Sequence, residues 1–297
     1  MKKFVRALFI SCVAVILGLP VKAQQEPIFT HYLSNPVSIN PAIAGTKRNL
    51  NLSLLSRLQW VGLEGAPNSY SLSGHMPWPQ KKIGVGFNIT SDNTWPVSNT
   101  HVSGAYAYRL RVTDDITLSL GIKGGFTYYY ASLTDLHVQN PDDPEFSENE
   151  KHFYPNIGAG AYLYSYKFFV GLSLPRFLRT SFDRKFDKTL KSPLYVMGGY
   201  NFDISSDWVF MPSMLMGAMI GVPMSCDLTA QMLYKNRFYF GTHYRIGDAT
   251  GMFFDMKIND YLSFGYAFDF SLNKLSRVNT GTHELMLSYI LSPKWKF

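Results

Sequence analysis

The alternation in Tyr261–Leu272 leaves few folds open to this chain. One parity reads Leu262, Phe264, Tyr266, Phe268, Phe270 and Leu272; the other reads Ser263, Gly265, Ala267, Asp269 and Ser271. Side chains that share a face at every second residue belong to a strand, not a helix. Ile116–Tyr128 repeats the design, with Ile116, Leu118, Leu120, Ile122 and Phe126 against Thr117, Ser119, Gly121, Lys123 and Thr127. His101–Val112 repeats it again, with Val102, Tyr106, Tyr108 and Leu110 against His101, Ser103, Ala105, Arg109 and Arg111.

Two architectures use such strands. A soluble sandwich turns its apolar faces inward and its polar faces to water. A transmembrane barrel turns its apolar face to lipid and its polar face to the lumen. Composition separates them: the chain is 46% hydrophobic and 15% aromatic but only 16% charged. The polar faces are rich in Gly, Ala, Ser and Thr, whereas water-facing surfaces carry more Lys and Glu. Small polar residues suit a confined lumen, and no later stretch is apolar for the roughly 20 residues of a transmembrane helix. The expected fold is therefore all-β, a transmembrane antiparallel β-barrel of the outer membrane over residues 49–297.

Connection lengths point the same way. Tight connections are expected around Thr113-Asp114-Asp115, Ser165-Tyr166-Lys167, Ile204–Asp207, Lys235-Asn236-Arg237 and Asn259-Asp260. Mostly longer ones are expected at Ser91–Asn99, Ala131–Tyr154, Pro175–Leu190, Met216–Gly221, Arg245–Thr250 and Asn273–Thr280. Short periplasmic turns alternating with longer outer loops are a barrel property, and the bounded strands number about fourteen. The terminal aromatic Phe297 suits a barrel of this kind. Tyr128-Tyr129-Tyr130, Trp60, Trp95 and Trp208 fall near expected strand ends, where interfacial aromatics settle.

The start of the chain gives the compartment. Lys2, Lys3 and Arg6 precede the apolar run Ala7–Pro20, and Val21-Lys22-Ala23 supplies small residues for cleavage. Residues 1–23 thus read as a Sec signal peptide. Its loss removes Lys2, Lys3, Arg6 and Lys22, so the formal charge falls from +7 to +3. No basic stripe remains for nucleic acid. Cys226 is then the single cysteine, so no internal disulfide is expected.

The search for chemistry finds little. The seven histidines His31, His75, His101, His137, His152, His243 and His283 show no metal-ligand spacing. His101 and His243 fall on the lumen parity and His283 on the other. No nucleophile and base stand out, no phosphate loop is present, and the chain is read as a non-enzyme without a cofactor. The acidic run Asn140–Glu150 could offer Asp142, Asp143 and Glu145 to Ca²⁺, but it lacks regular ligand spacing and reads as a solvated outer loop. Candidate lumen charges are Arg57, Arg109, Arg111, Lys123, Arg237, Arg245 and Lys257, with Asp255, Asp269 and Glu284 against them. These either form salt bridges that stiffen the wall, or make a net-positive interior that holds a polypeptide segment or admits anions. Residues 24–48 carry Asn35-Pro36 and Asn40-Pro41, breakers that keep the segment out of the sheet. Phe29, Tyr32, Leu33, Val37, Ile39 and Ile43 give it apolar groups to bury. It either folds back into the barrel as a plug or stands as a structured periplasmic tail.

"QQEPIFTHYLSNPVSINPAIAGT" followed by "RLQWVGLEGAPNSYSLSGHMPWP" resembles the PorP/SprF family of the Bacteroidetes type IX secretion system. The positions that carry the likeness are Asn40-Pro41-Ala42, Gly45, Gln59-Trp60, Gly62 and Gly65-Ala66-Pro67. "KKIGVGFNI", "GIKGGFTYY", "DPEF", "PNIGAGAYLYS", "FFVGLSLPRFL" and "GTHELMLSYIL" extend it along the mature chain. The resemblance implies a non-catalytic outer-membrane component of the secretion and gliding machinery. It would bind, anchor or escort a secreted adhesin with a type-B C-terminal domain, or a secretion-machinery partner. An outer-membrane porin or small-solute transporter with a basic lumen is the alternative reading.

Overall fold

The computed structural model describes residues 28–78, 81–136, 146–177, 180–181, 189–190, 193–220 and 222–291. The signal peptide, the candidate calcium ligands Asp142, Asp143 and Glu145, and Phe297 lie outside the described residues.

Fourteen strands make one antiparallel barrel. In chain order they are β1 Leu50–Leu58, β2 Asn68–Pro77, β3 Ile83–Thr94, β4 Val97–Arg111, β5 Thr117–Ala131, β6 Glu150–Tyr164 and β7 Phe168–Leu174. The second half is β8 Leu194–Tyr200, β9 Trp208–Met219, β10 Val222–Tyr234, β11 Phe238–Arg245, β12 Ala249–Lys257, β13 Leu262–Ser271 and β14 Thr282–Leu291. Each pairs with its chain neighbours. The ring closes where β1 meets β14, with Leu54 opposite Leu287 and Arg57 opposite Glu284. A short ladder, Phe202–Asp203, extends β9 at one rim, and Thr180–Ser181 pairs with Thr189–Leu190 in the loop after β7.

The period-two pattern sorts into an exposed apolar face and a buried polar one. On β2, Ser69, Ser71, Ser73 and His75 are buried while Tyr70 and Leu72 are 46% and 40% exposed. On β14, Thr282, Glu284 and Met286 are buried while Leu285, Leu287 and Tyr289 are exposed. A water-soluble sandwich would show the reverse. Apolar side chains can stay uncovered on this scale only where lipid covers them.

The short connections include 165–167 and 235–237, and the longest are 132–149 and 175–193. By the barrel convention, the end with the short turns faces the periplasm. Three outer connections that the sequence suggested would be long are instead tight. β3 and β4 stay paired up to Thr94 opposite Val97, leaving Trp95-Pro96 as the turn within Ser91–Asn99. β9 and β10 pair up to Met219 opposite Val222 within Met216–Gly221, and β11 and β12 up to Arg245 opposite Ala249 within Arg245–Thr250. The polar run Ser91–Thr94 looked like a loop because it lacks apolar residues. It stays in the ladder because its side chains bond along and across the strands, as when Ser98 Oγ donates to Asn93.

Before β1, residues 28–49 form no strand. They contain one helical turn, α1 Pro36–Ile39, and a 3₁₀ turn at Pro41–Ile43. Both prolines take a first-turn position, where a missing N–H costs nothing. Asn40 caps the second turn, its Oδ1 accepting from Ala42 N at 2.9 Å.

Candidate functional site

The segment before β1 bonds to strands all around the ring. Ser53 Oγ on β1 donates to Ser34 O at 2.7 Å, and Asn35 Nδ2 donates to Ser71 Oγ on β2 at 2.7 Å. Arg109 Nη1 on β4 reaches Gly45 O at 2.7 Å, and Lys123 Nζ on β5 reaches Ser38 O at 3.1 Å. Asn40 Nδ2 donates to Ala161 O on β6, and Ser173 Oγ on β7 donates to Ile39 O. Tyr32 pairs with Ser213 on β9 at 2.8 Å. A segment in contact with so many sides of a closed ring lies inside it. Tyr32, Val37, Ile43 and Ala44 pack there with Ala105, Ala107, Tyr195, Met197 and Leu215 from the wall.

The wall is shaped for this approach. A Cβ at Gly121 would run into the backbone of Ala42, and one at Gly84 into the carbonyl of Ala44. These two glycines let the segment lie directly on the sheet.

The segment also has a direction. Ile28 O accepts from Arg245 at the outer end of β11, at 3.3 Å, and Ile28 lies beside Pro193 and Val222 near outer connections. Gly45 N donates to His75 near the inner end of β2. The chain therefore descends through the lumen from the outer side to the periplasmic rim, where β1 begins.

Near its upper end the segment enters a buried ion cluster. His31 Nδ1 lies 2.7 Å from Glu284 Oε1, and its Nε2 lies 2.8 Å from Asp255 Oδ1. Carboxylates accept and do not donate, so only the doubly protonated ring satisfies both contacts. His31 is thus an imidazolium between two carboxylates. The backbone N–H groups of Thr30 and His31 also donate to Glu284, each at 2.8 Å. Arg57 bridges Glu284 at 2.9 Å and Asp269 at 2.8 Å, while donating to Thr30 Oγ1. Asp269 receives His243 Nε2 at 2.8 Å; His243 Nδ1 is 3.4 Å from Asp227, which Arg245 holds at 2.8 Å.

All of these groups are buried, with Glu284 and Asp227 at 1% exposure. Four carboxylates face two guanidiniums and two imidazoles, a neutral set when both rings are charged. Buried ion pairs offset their desolvation only when every member has good partners. Here the pairing includes groups from the segment itself, so the wall cluster is complete only with the segment in place. Among the described residues, no group of three or more His, Cys, Asp or Glu side chains is placed to hold a metal ion.

Of the candidate lumen charges, Arg57, Arg245, Asp255, Asp269 and Glu284 meet in this cluster, and Arg109 and Lys123 bind backbone carbonyls of the segment. Arg111, Arg237 and Lys257 instead serve the periplasmic rim. Arg111 reaches Asp114 in the following turn, Arg237 caps Lys257 O, and Lys257 reaches Asn236. Their parity was inward, but at a strand end a long side chain leaves the lumen for the rim. Asp227 and His31 were not among the sequence candidates. Asp227 shares its parity with Ser225, Thr229 and Gln231 and could have been found that way; His31 sits in no strand and carries no such signal.

The motif residues fall at opposite ends. Asn40, Pro41, Ala42 and Gly45 lie in the lower lumen. Gln59, Trp60, Gly62, Gly65, Ala66 and Pro67 form the outer β1–β2 loop. That loop is folded on left-handed backbone at Trp60, Gly62 and Gly65 (φ 51°, 97° and 72°). It is stitched to the β13–β14 connection by Val61 N to Gly281 O and Thr280 N to Val61 O. With Asn93, Trp95 and Tyr130 it borders an outward cleft of about 570 Å³.

Comparison with known proteins gives the context. Of solved structures, the CymD monoaromatic hydrocarbon channel shares the fold, with a TM-score of 0.51 at 12% identity over 87% of this chain and 92% of its own. A Pseudomonas aeruginosa FadL homologue matches with a TM-score of 0.45 at 10% identity over 85% and 93% of the two chains. The NanC porin matches with 0.40 at 11% identity over 82% and 99%. No curated protein sequence matches the chain. The family described as type IX secretion system membrane protein PorP/SprF matches residues 21–289. The outer-membrane barrel and its inserted segment therefore belong to a member of the PorP/SprF family of type IX secretion membrane proteins.

Proposed function

We propose that this protein is a closed, non-catalytic barrel that binds a partner of the type IX secretion system at the outer membrane, and that residues 24–48 act as its resident plug. The observation that carries the reading is the segment in the lumen, bonded to wall strands on every side and to a buried ion cluster. A conduit for solutes gains nothing from a lumen so filled. A docking platform gains a rigid body that displays its outer loops at fixed spacing. Residues 1–23 direct its export, and it works without a cofactor.

The connections 132–149 and 175–193, with the cleft at Trp95, supply the outer binding surface, and a secreted adhesin with a type-B C-terminal domain or a secretion-machinery component is its partner. Affinity purification from native outer membranes in mild detergent should recover such a protein. Recovery of none would reject the partner reading. In a planar bilayer the purified barrel should show no steady open conductance, and a large stable pore would favour a porin instead.

A further inference from the structure

The loop Gln59–Pro67 takes no part in holding the plug or the ion cluster. It forms one wall of the outward cleft of about 570 Å³, and the β3–β4 turn and the end of β5 form the rest. Trp60 holds left-handed backbone there (φ 51°), a conformation that a bulky side chain adopts only under constraint. Such constraint collects at ligand sites.

The chemistry of the lining narrows the occupant. Among the described residues, no charged side chain borders the cleft. An ion entering it would lose water and gain no counter-charge. A wholly apolar ligand fits no better. Gln59 and Asn68 line the cleft, and among the described residues their side-chain amides have no hydrogen-bond partner. Each offers donors and an acceptor, which an apolar occupant would strip of water without replacement. A peptide added as a strand needs an open sheet edge, and the backbone here is already paired. Gln59 N donates to Pro67 O and Ser132 N to Pro96 O, each at 3.0 Å, and β3 and β4 stay in register up to Thr94 opposite Val97. Trp95, 57% exposed, and the half-buried Tyr130 add aromatic surface. A neutral sugar meets all of these conditions. It carries no charge, its hydroxyls both donate and accept, and its C–H face lies well on the negative face of an aromatic ring. Since a cavity of about 150 Å³ takes benzene, this cleft takes about 20 heavy atoms, or one to two pyranose rings.

We infer that the cleft is a binding site for a neutral saccharide, with one sugar ring stacked on Trp95 and its hydroxyls on the amides of Gln59 and Asn68. The saccharide is borne by outer-leaflet lipid or by a glycosylated protein, which present the same chemistry to the cleft. The assignment rests on the outward orientation of these loops and not on the identity of the secretion partner.

A glycan array tests the assignment, probed with the purified, heat-modifiable barrel in a detergent without a sugar headgroup. The array carries neutral and acidic oligosaccharides, with neutral fractions released from outer-membrane lipid and from envelope glycoproteins. At least one neutral glycan should bind saturably. Its binding should fall tenfold or more in Trp95→Ala and in Gln59→Ala/Asn68→Ala, and Trp95→Phe should retain part of it. Binding of the lipid-derived fraction alone would support the membrane as source, and of the protein-derived fraction alone a glycoprotein. Absence of any saturable neutral glycan, equal binding of acidic glycans of the same backbone, or unchanged affinity in a folded Trp95→Ala barrel would each overturn it. Binding of a proline-rich peptide without any glycan would make the cleft a peptide site instead. If Trp95→Ala does not assemble, the Gln59→Ala/Asn68→Ala barrel decides. Recovery of no secretion partner from membranes would leave these results unaffected.

Discussion

Replacing His31 with Ala should free the lumenal segment while leaving the barrel wall intact. The wall is held by its own strand ladders, none of which involves residue 31. The substitution removes both ring contacts, to Glu284 at 2.7 Å and Asp255 at 2.8 Å. Glu284 keeps Arg57 and two backbone N–H donors, but among the described residues Asp255 keeps no other ion-pair partner. Two charge-assisted hydrogen bonds at about 1.5–3 kcal/mol each agree with the cost of about 3–5 kcal/mol for removing one partner from a buried pair. At 1.4 kcal/mol per decade, the undocked fraction should rise by about 10²–10³-fold. Limited proteolysis of the segment in detergent and single-barrel conductance read this directly. Asp255→Asn removes the stranded charge, so the double variant His31→Ala/Asp255→Asn should recover about half of the loss or more. If His31→Ala stays as protected and as silent as the native barrel, or if Asp255→Asn brings no recovery, the cluster is not what holds the segment.

Gly121→Val should displace the segment by driving a side chain into the backbone of Ala42, with increased protease cleavage before residue 46; Gly104→Ala, where a Cβ meets nothing within 4 Å, should be silent in the same assay. Asn40→Asp places a carboxylate where an amide now donates to Ala161 O, and should cost about 1–3 kcal/mol of segment docking in a urea-protection series. Leu228→Arg, on the lipid face at the middle of β10, should cost about 2–4 kcal/mol at mid-membrane depth, whereas Ser263→Arg, on the lumen parity of β13, should be far milder by heat-modifiability on gels. Equal tolerance at both positions would contradict the assignment of faces.

The barrel was legible because its signal is repeated. Each strand states its two faces through residues such as Phe264 and Ser263, and fourteen strands give the same answer. Tight turns were read well where charge or Asn clusters marked them, as at Lys235-Asn236-Arg237. They were misjudged at Trp95-Pro96, where polar strand ends look like loop. The ion cluster was half legible. Arg57, Asp269 and Glu284 follow from parity, but nothing local says that they converge across β1, β13 and β14. His31 was hidden altogether, since its role depends on a segment whose path is set by tertiary contacts rather than by its own period. The glycines of "KKIGVG" and "GIKGGF" read as aids to curvature and close packing; at Gly84 and Gly121 the close packing is against the inserted segment itself.

The route of residues 28–49 has a consequence for assembly. The groups that fasten the upper part of the segment come from Arg57 at the start of the barrel and from Asp227, His243, Asp255, Asp269 and Glu284 near its end, up to 254 positions along the chain. The segment cannot be secured until the last strands have arrived. Once β14 joins β1, threading it through a lumen lined this closely would require the finished ring to open. Insertion and closure are therefore a single event: the cluster forms across the seam as the seam seals, and a barrel that closes without its segment has trapped four carboxylates with only the three wall cations, Asp255 having lost its His31 partner. Such a product is penalised by its own electrostatics, which makes the segment a built-in check on correct closure.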